Sequence, residues 1–132
     1  LRFAFKYPRL FTAVSAHSAA LIERMPKGAE HAGIASITGT AFGVPFDPAF
    51  WESNSPFFYA KTFAPAGLKI YLDCGDRDNY GFEVGTRAMD KLLTSRKIAH
   101  EAHIYPGDHG WEYFADHLDE SLEFQSKALG AR

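Results

Sequence analysis

The chain has 132 residues, of which 46% are hydrophobic and 23% are charged, and its formal net charge is -2. This is the composition of a folded chain of about one domain, and it excludes both a disordered chain and a basic surface for nucleic acid. No apolar run reaches the ~18 residues that would cross a membrane, and a single cysteine, Cys74, excludes an internal disulfide. We therefore expect neither nucleic acid nor a membrane as a partner, and the composition assigns no cellular compartment.

The first residues have the pattern of the end of a helix followed by a strand. Residues 1–8 read as the last turns of a helix that stops at Pro8, because proline cannot continue a helix. The apolar run from Phe11 to Ala16 then predicts a strand. No cap residue precedes the helix and residue 1 is Leu1, so we expect residues 1–132 to be a single partial domain, the C-terminal part of a longer protein.

The middle of the chain predicts a long connection followed by a short helix. Residues 28–48 are rich in glycine and small residues, and Ser55 and Pro56 then supply an N-cap and an N1 proline for a helix that ends near Lys61. A group of aromatic residues in this segment is interpreted either as core or as the wall of a substrate pocket. The group consists of Phe42, Phe46, Phe50, Trp51, Phe57, Phe58 and Tyr59.

The second half of the chain predicts two strand, loop and helix units. The segment from Leu68 to Cys74 is almost continuously apolar, as expected of a parallel strand covered on both faces, and Ala99 to Tyr105 predicts a second strand. Mostly apolar residues at helical spacing follow each strand. They are Phe82, Thr86, Met89 and Leu93, and then Trp111, Phe114, Ala115, Leu118, Leu122 and Leu129. This order predicts an α/β fold with a mostly parallel sheet flanked by helices, and an open sheet edge would allow homo-oligomers.

Each of these strands ends in a polar loop that contains glycine. The loops are residues 73–78 and residues 106–111, and the carboxyl ends of parallel strands meet at one edge of a sheet, where catalytic groups gather. In the second loop, His109 is a candidate general base and acid, because an imidazole pKa of about 6.5 permits both roles near neutrality. The first loop offers Asp73, Asp76 and Asp78 as candidates for the acid that orients the imidazole, or as turn and helix-start residues.

Two other chemistries are disfavoured by the spacing of their residues. Several potential metal ligands fall within one stretch: His100, His103, Asp108, His109 and His117. Neighbours such as His100 and His103 would point to opposite faces of a strand, and no recognised zinc spacing occurs, so no metal is expected. His17 and Ser18 would also point in opposite directions, so they do not form a convincing base and nucleophile.

The two loops and three further segments carry a family resemblance. An acid that precedes the histidine fits the chain order of α/β-hydrolases, which is serine, acid, histidine, although no Gly-x-Ser-x-Gly sequence occurs in these residues. With residues 4–8, 11–16 and 50–56, the loops resemble the C-terminal half of a putative esterase of the α/β-hydrolase superfamily. The group concerned contains esterase D, S-formylglutathione hydrolase and antigen 85.

The resemblance implies a serine carboxylic-ester hydrolase that needs no cofactor and acts on a small-molecule ester or thioester. It implies that His109 is the base and that Asp78, the third residue after Gly75, is the acid, and it puts the nucleophilic serine upstream of residue 1. The chain alone would then be inactive, and Trp51 and Trp111 are the aromatics expected to contact substrate. A thioesterase or an acyltransferase would use the same machinery, and a non-catalytic binding or assembly module is the alternative of another class.

Overall fold

The computed structural model describes residues 1–25, 41–43, 45–63 and 67–130. The predicted connection over residues 28–48 lies mostly outside the described residues. The helices are α1 (Arg2–Lys6), α2 (Pro48–Asn54), α3 (Pro56–Thr62), α4 (Phe82–Ser95) and α5 (Trp111–Ala128), with a short 3-10 turn at Pro8–Leu10. The strands are β1 (Ala13–His17), β2 (Lys69–Gly75) and β3 (Glu101–Tyr105).

The three strands form one parallel sheet in the order β1-β2-β3. Val14 pairs with Ile70 on one side of β2, and Leu72 pairs with Ala102 on the other. The central strand is buried from residue 70 to residue 75, as its continuous apolar run predicts. The predicted parallel α/β architecture is therefore confirmed, with β1 and β3 as the outer strands of the described sheet.

Alternate residues of β2 face opposite layers of helices, because successive side chains of a strand point to opposite faces. Ile70 and Leu72 lie in the hydrophobic core together with Met89 and Leu93 of α4. On the opposite face, the Tyr71 ring lies 5.4 Å from the ring of Phe124 in α5. The sheet thus has helices on both faces, and its C-terminal edge is where the loops after β2 and β3 emerge.

Local sequence signals explain the helix boundaries. Helix α1 ends at Lys6, before Pro8, as predicted. The Ser55 hydroxyl accepts a hydrogen bond from the Phe57 amide at 3.2 Å, so the predicted cap of α3 is confirmed. Helix α2 was not predicted, although its signal is of the same kind: Asp47 caps the helix, and Pro48 follows at N1.

The aromatic residues of the middle segment divide between core and surface. Phe57 and Tyr59 are buried in the core, whereas Phe50 and Phe58 are exposed. The interpretation of these aromatics as core is therefore correct for Phe57 and Tyr59. Within the ranges that the structure describes, no helix is long and apolar enough to cross a membrane.

Candidate active site

Asp78 and His109 form a hydrogen-bonded pair at the carboxyl ends of β2 and β3. Asp78 Oδ2 lies 2.8 Å from Nδ1 of His109. The pairing of Gly75 with Tyr105 in the sheet brings the two loops side by side, because only a few residues separate each strand end from its polar side chain. The Asp78 side chain is fully buried, and 25% of the His109 side chain is exposed. The structure therefore brings together the candidate base and the favoured candidate acid of the sequence analysis.

The surroundings of Asp78 stabilise its charged form. Its other oxygen, Oδ1, accepts hydrogen bonds from the backbone N–H groups of Tyr80 at 2.9 Å and Phe82 at 3.4 Å. Burial acts to raise the pKa of Asp78, but the hydrogen bonds from His109 and from these two amides outweigh burial, so the pKa is lowered. An ionised Asp78 favours the imidazole tautomer that carries its proton on Nδ1.

The imidazole of His109 is held between aromatic rings. The rings of Tyr80, Phe82 and Phe114 meet it edge to face, with centroids 5.0, 5.5 and 5.4 Å away. Such contacts fix the plane of the imidazole without occupying its polar atoms. Nδ1 is bound to Asp78, and no hydrogen bond to Nε2 occurs among the residues that the structure describes. Nε2 is thus the ring nitrogen that is open to another partner.

Asp76 connects the two loops instead of contacting the imidazole. Its Oδ1 accepts a hydrogen bond from the Gly107 amide at 3.0 Å. The backbone adds two further links, from the Asp76 amide to the Tyr105 carbonyl at 2.7 Å and from the Arg77 amide to the Gly107 carbonyl at 2.9 Å. These bonds hold the loop that carries His109 against the loop that carries Asp78.

Asp73, the third candidate acid, belongs to a different network on the α5 face of the sheet. Its Oδ2 lies 2.7 Å from Nδ1 of His17, and its Oδ1 accepts a hydrogen bond from the Tyr113 hydroxyl at 2.8 Å. Nε2 of His17 in turn lies 2.8 Å from the Ser121 hydroxyl. Asp73 is fully buried, so these partners compensate for the cost of removing its carboxyl group from water.

The connected residues Asp73, His17 and Ser121 have the acid, imidazole and hydroxyl order of a catalytic triad. Ser121 belongs to α5 and is buried, however, with only 4% of its surface exposed, so a substrate cannot reach its hydroxyl. The Asp73 carboxylate, which lies beside Nδ1 of His17, raises the pKa of His17 against the opposing effect of burial. We therefore interpret the network as a structural link between β1, β2 and α5. Sequence reasoning missed it, because its members are far apart in the chain and no motif connects them.

The two tryptophans expected at the site lie in different places. Trp111 begins α5, has 88% of its surface exposed, and packs edge to face on Phe114 at 6.4 Å. Trp111 therefore contacts Phe114, and Phe114 in turn contacts His109. Trp51 lies on α2, where it lines a small hollow with Phe57 and Lys61. Its ring is not among those that contact His109, so the structure does not bring Trp51 to the pair.

The other histidines of the second half have partners that account for them. His100 bonds Asp90 at 2.9 Å, and the His117 ring stacks on Tyr105 at 4.1 Å. His103 also stacks on Tyr105, from 5.4 Å. In the described part of the chain, no cluster of three or more potential ligands could hold a metal ion.

A parallel sheet between helices, with an acid and then a histidine paired on adjacent strand-end loops, defines a protein of the α/β-hydrolase class. The model of the putative esterase family matches residues 1–124, and the chain belongs to that family. The family expected from the sequence is thereby confirmed.

Comparison with solved structures supports the same fold. A ferulic acid esterase superposes with a TM-score of 0.71 and 21% sequence identity, over 96% of this chain and 47% of that one. At this identity the likeness establishes the fold, which here is part of an α/β-hydrolase domain. The chain thus spans 47% of the length of the esterase that it matches. A search of the curated proteins finds no match.

Proposed function

We propose that this chain supplies the acid and the base of a serine carboxylic-ester hydrolase. The observation that carries the proposal is the 2.8 Å contact between Asp78 Oδ2 and His109 Nδ1, which leaves Nε2 available beside a partly open surface. Membership of the putative esterase family supports ester hydrolysis as the reaction. The lowered pKa of Asp78 supports its role as the ionised partner of the imidazole.

The roles follow from the chemistry of acyl transfer. A serine hydroxyl attacks the ester carbonyl, and Nε2 of His109 accepts its proton. Asp78 holds the ring in the required orientation and stabilises the imidazolium that forms. His109 then donates the proton to the departing alcohol oxygen, and a water molecule, activated in the same way, releases the acyl group from the serine.

The nucleophile and the oxyanion hole are proposed to precede residue 1. In the α/β-hydrolase order the serine comes before the acid, and the oxyanion donors are the amide after the serine and an amide from an early loop. No Gly-x-Ser-x-Gly sequence occurs in the 132 residues, and the chain corresponds to 47% of the ferulic acid esterase. The chain by itself is therefore proposed to be inactive.

The test compares hydrolysis of p-nitrophenyl acetate by the full product of the gene and by residues 1–132 alone. Each protein is assayed before and after treatment with a serine-directed fluorophosphonate. We expect activity only in the longer protein, and we expect the probe to abolish it. If neither protein hydrolyses the ester, even before treatment, the result would favour a non-catalytic module. Hydrolysis by residues 1–132 alone would locate the nucleophile within them.

A further inference from the structure

A mainly apolar pocket of about 460 Å³ opens beside the Asp78 and His109 pair. Its volume falls within the range of small-molecule sites, roughly 300 to 1,000 Å³. The residues after β1 form one wall, and the start of α4 with the loop before it forms the other. The lining includes Leu21, Glu23, Arg24, Tyr80, Phe82, Val84 and Gly85.

The pocket shares two of its walls with the imidazole of His109. Tyr80 and Phe82 line the pocket, and both rings also pack edge to face on His109 at 5.0 and 5.5 Å. The same two residues donate their amides to Asp78. A group bound in the pocket therefore lies one aromatic ring away from the site of proton transfer.

A close backbone contact shapes the pocket. A Cβ atom on Gly85 would lie 1.6 Å from the carbonyl oxygen of Leu21, so only glycine allows the segment after β1 to lie directly on α4. Apolar side chains remain open to solvent around this contact: Val84, for example, has 66% of its surface exposed. Of the two charged lining residues, Glu23 is paired with Lys61 at 3.2 Å. Exposed apolar surface in a concavity is typical of a binding site.

We propose that this pocket binds an apolar alcohol portion of the ester substrate, such as an alkyl or benzyl group; this rests on the proposed ester hydrolysis. The side of the ester follows from the chemistry. The histidine must deliver its proton to the alcohol oxygen, so the alcohol lies on the imidazole side of the scissile bond. The acyl group lies on the far side of the carbonyl carbon. A pocket that shares its walls with the imidazole therefore faces the alcohol.

Binding of the alcohol portion in this pocket predicts a preference for esters of longer alcohols. Transfer of one methylene from water to an apolar site is worth about 0.8 kcal/mol, which is about fourfold in kcat/KM. Ethyl, butyl and hexyl acetate are suitable substrates, because their alcohols are similar leaving groups. We expect kcat/KM to rise by up to about fourfold per methylene along this series.

Variants of Val84 test the assignment in the full-length protein. Val84→Asn makes the wall polar without adding a charge near His109, and Val84→Leu keeps it apolar. We expect Val84→Asn to flatten the rise from ethyl to hexyl acetate, Val84→Leu to preserve it, and neither to change the trend from ethyl acetate to ethyl hexanoate. Thr94→Asn, at an exposed position near the other end of α4, is the matched control and should leave both series unchanged.

A binding measurement separates this assignment from the proposed activity. Titration with 1-hexanol should shift the backbone amide resonances of Gly81 and Gly85 saturably, and Val84→Asn should weaken that binding. Saturable shifts without ester hydrolysis would refute the proposed function and retain the pocket. Hydrolysis without such shifts, or a flattened acyl series in place of the alcohol series, would refute the pocket assignment. Absence of both hydrolysis and shifts would overturn both.

Discussion

Gly75 and Gly107 approach so closely that a Cβ atom on Gly75 would lie 2.5 Å from the carbonyl oxygen of Gly107. This contact joins the last residue of β2 to the loop that follows β3. The loop that carries Asp78 and the loop that carries His109 therefore touch through their backbones. The distance between Asp78 and His109 depends on that contact as well as on the side chains themselves.

Gly75→Ala is expected to force the two loops apart. Insertion of a methyl group into a packed site typically costs about 1 to 3 kcal/mol of unfolding free energy, and the separation should also displace His109 from Asp78. Urea denaturation and the esterase assay on the full-length protein measure the two effects. A variant with the midpoint and the activity of the wild type would show that the loops can adjust without cost.

His109→Ala and Asp78→Asn should each remove most ester hydrolysis. In known acyl-transfer triads, replacement of the acid by its amide lowers turnover by roughly ten-thousand-fold, because the imidazole takes the wrong tautomer. Circular dichroism should show that both variants keep the fold. Asp76→Asn is the matched control for Asp78→Asn and should lose much less activity. A larger loss for Asp76→Asn would contradict the assignment of Asp78 as the acid.

Asp76 should be more sensitive to alanine than to asparagine. Asparagine retains an oxygen that can accept the hydrogen bond from the Gly107 amide, whereas alanine leaves that amide without its partner. Loss of the bond should cost about 1 kcal/mol of unfolding free energy. Comparison of the urea midpoints of the two variants measures the difference. Equal midpoints would indicate that the backbone bonds alone hold the loops together.

The stability of the protein should depend on the protonation of His17. Asp73 raises the pKa of His17, with a further contribution from the charge of Glu120, so the folded state binds this proton more tightly than the unfolded chain does. The resulting stabilisation is fully present below the unfolded pKa of about 6.5, and it is lost as the pH rises through the raised pKa. Urea midpoints should therefore fall as the pH rises from about 6.5 through the raised pKa.

His17→Gln isolates this contribution from those of the other histidines. Glutamine can still donate a hydrogen bond to Asp73, but it does not titrate. The difference in midpoint between wild type and variant should shrink as the pH rises from about 6 to about 9. A difference that is constant over this range would mean that the link between β1 and α5 does not depend on the charge of His17.

Cys74 should be inert to thiol reagents in the folded protein. It is fully buried, and burial raises the pKa of its thiol to about 11. The thiolate is the reactive form, so neither access nor ionisation favours modification near pH 8. Labelling with a maleimide, followed by mass spectrometry, should require urea and should track unfolding. Rapid labelling of Cys74 in native buffer would contradict this packing.

The parts of the fold and of the candidate site that depend on local sequence pattern could be predicted. The apolar run from Leu68 to Cys74 predicted the buried central strand, and the polar loops after two parallel strands predicted that Asp78 and His109 would meet. The boundaries were less accurate: β1 begins at Ala13, two residues after the predicted start, and β3 begins at Glu101, two residues after Ala99. Neither segment has the continuous apolar run that marks β2, which explains these differences.

The features that could not be predicted depend on contacts between distant segments. The hydrogen bond between His17 and Ser121 joins residues 104 positions apart, and nothing in either local sequence points to the other. The contact between Leu21 and Gly85 that shapes the pocket is of the same kind. Such pairs are set by the way the helices pack on the sheet. The sequence around each residue does not specify that packing.

The pairing of Gly75 with Tyr105 also has a consequence for evolution. Insertions and deletions in the short segments from Gly75 to Asp78 and from Tyr105 to His109 would change the relative position of Asp78 and His109. The stretch between Asp78 and Glu101 is much longer, and only its start holds Asp78, so the end of α4 and the turn before β3 can vary in length while the register of β2 and β3 is kept. Homologues should therefore tolerate indels at the end of α4 and exclude them from the two strand-end loops.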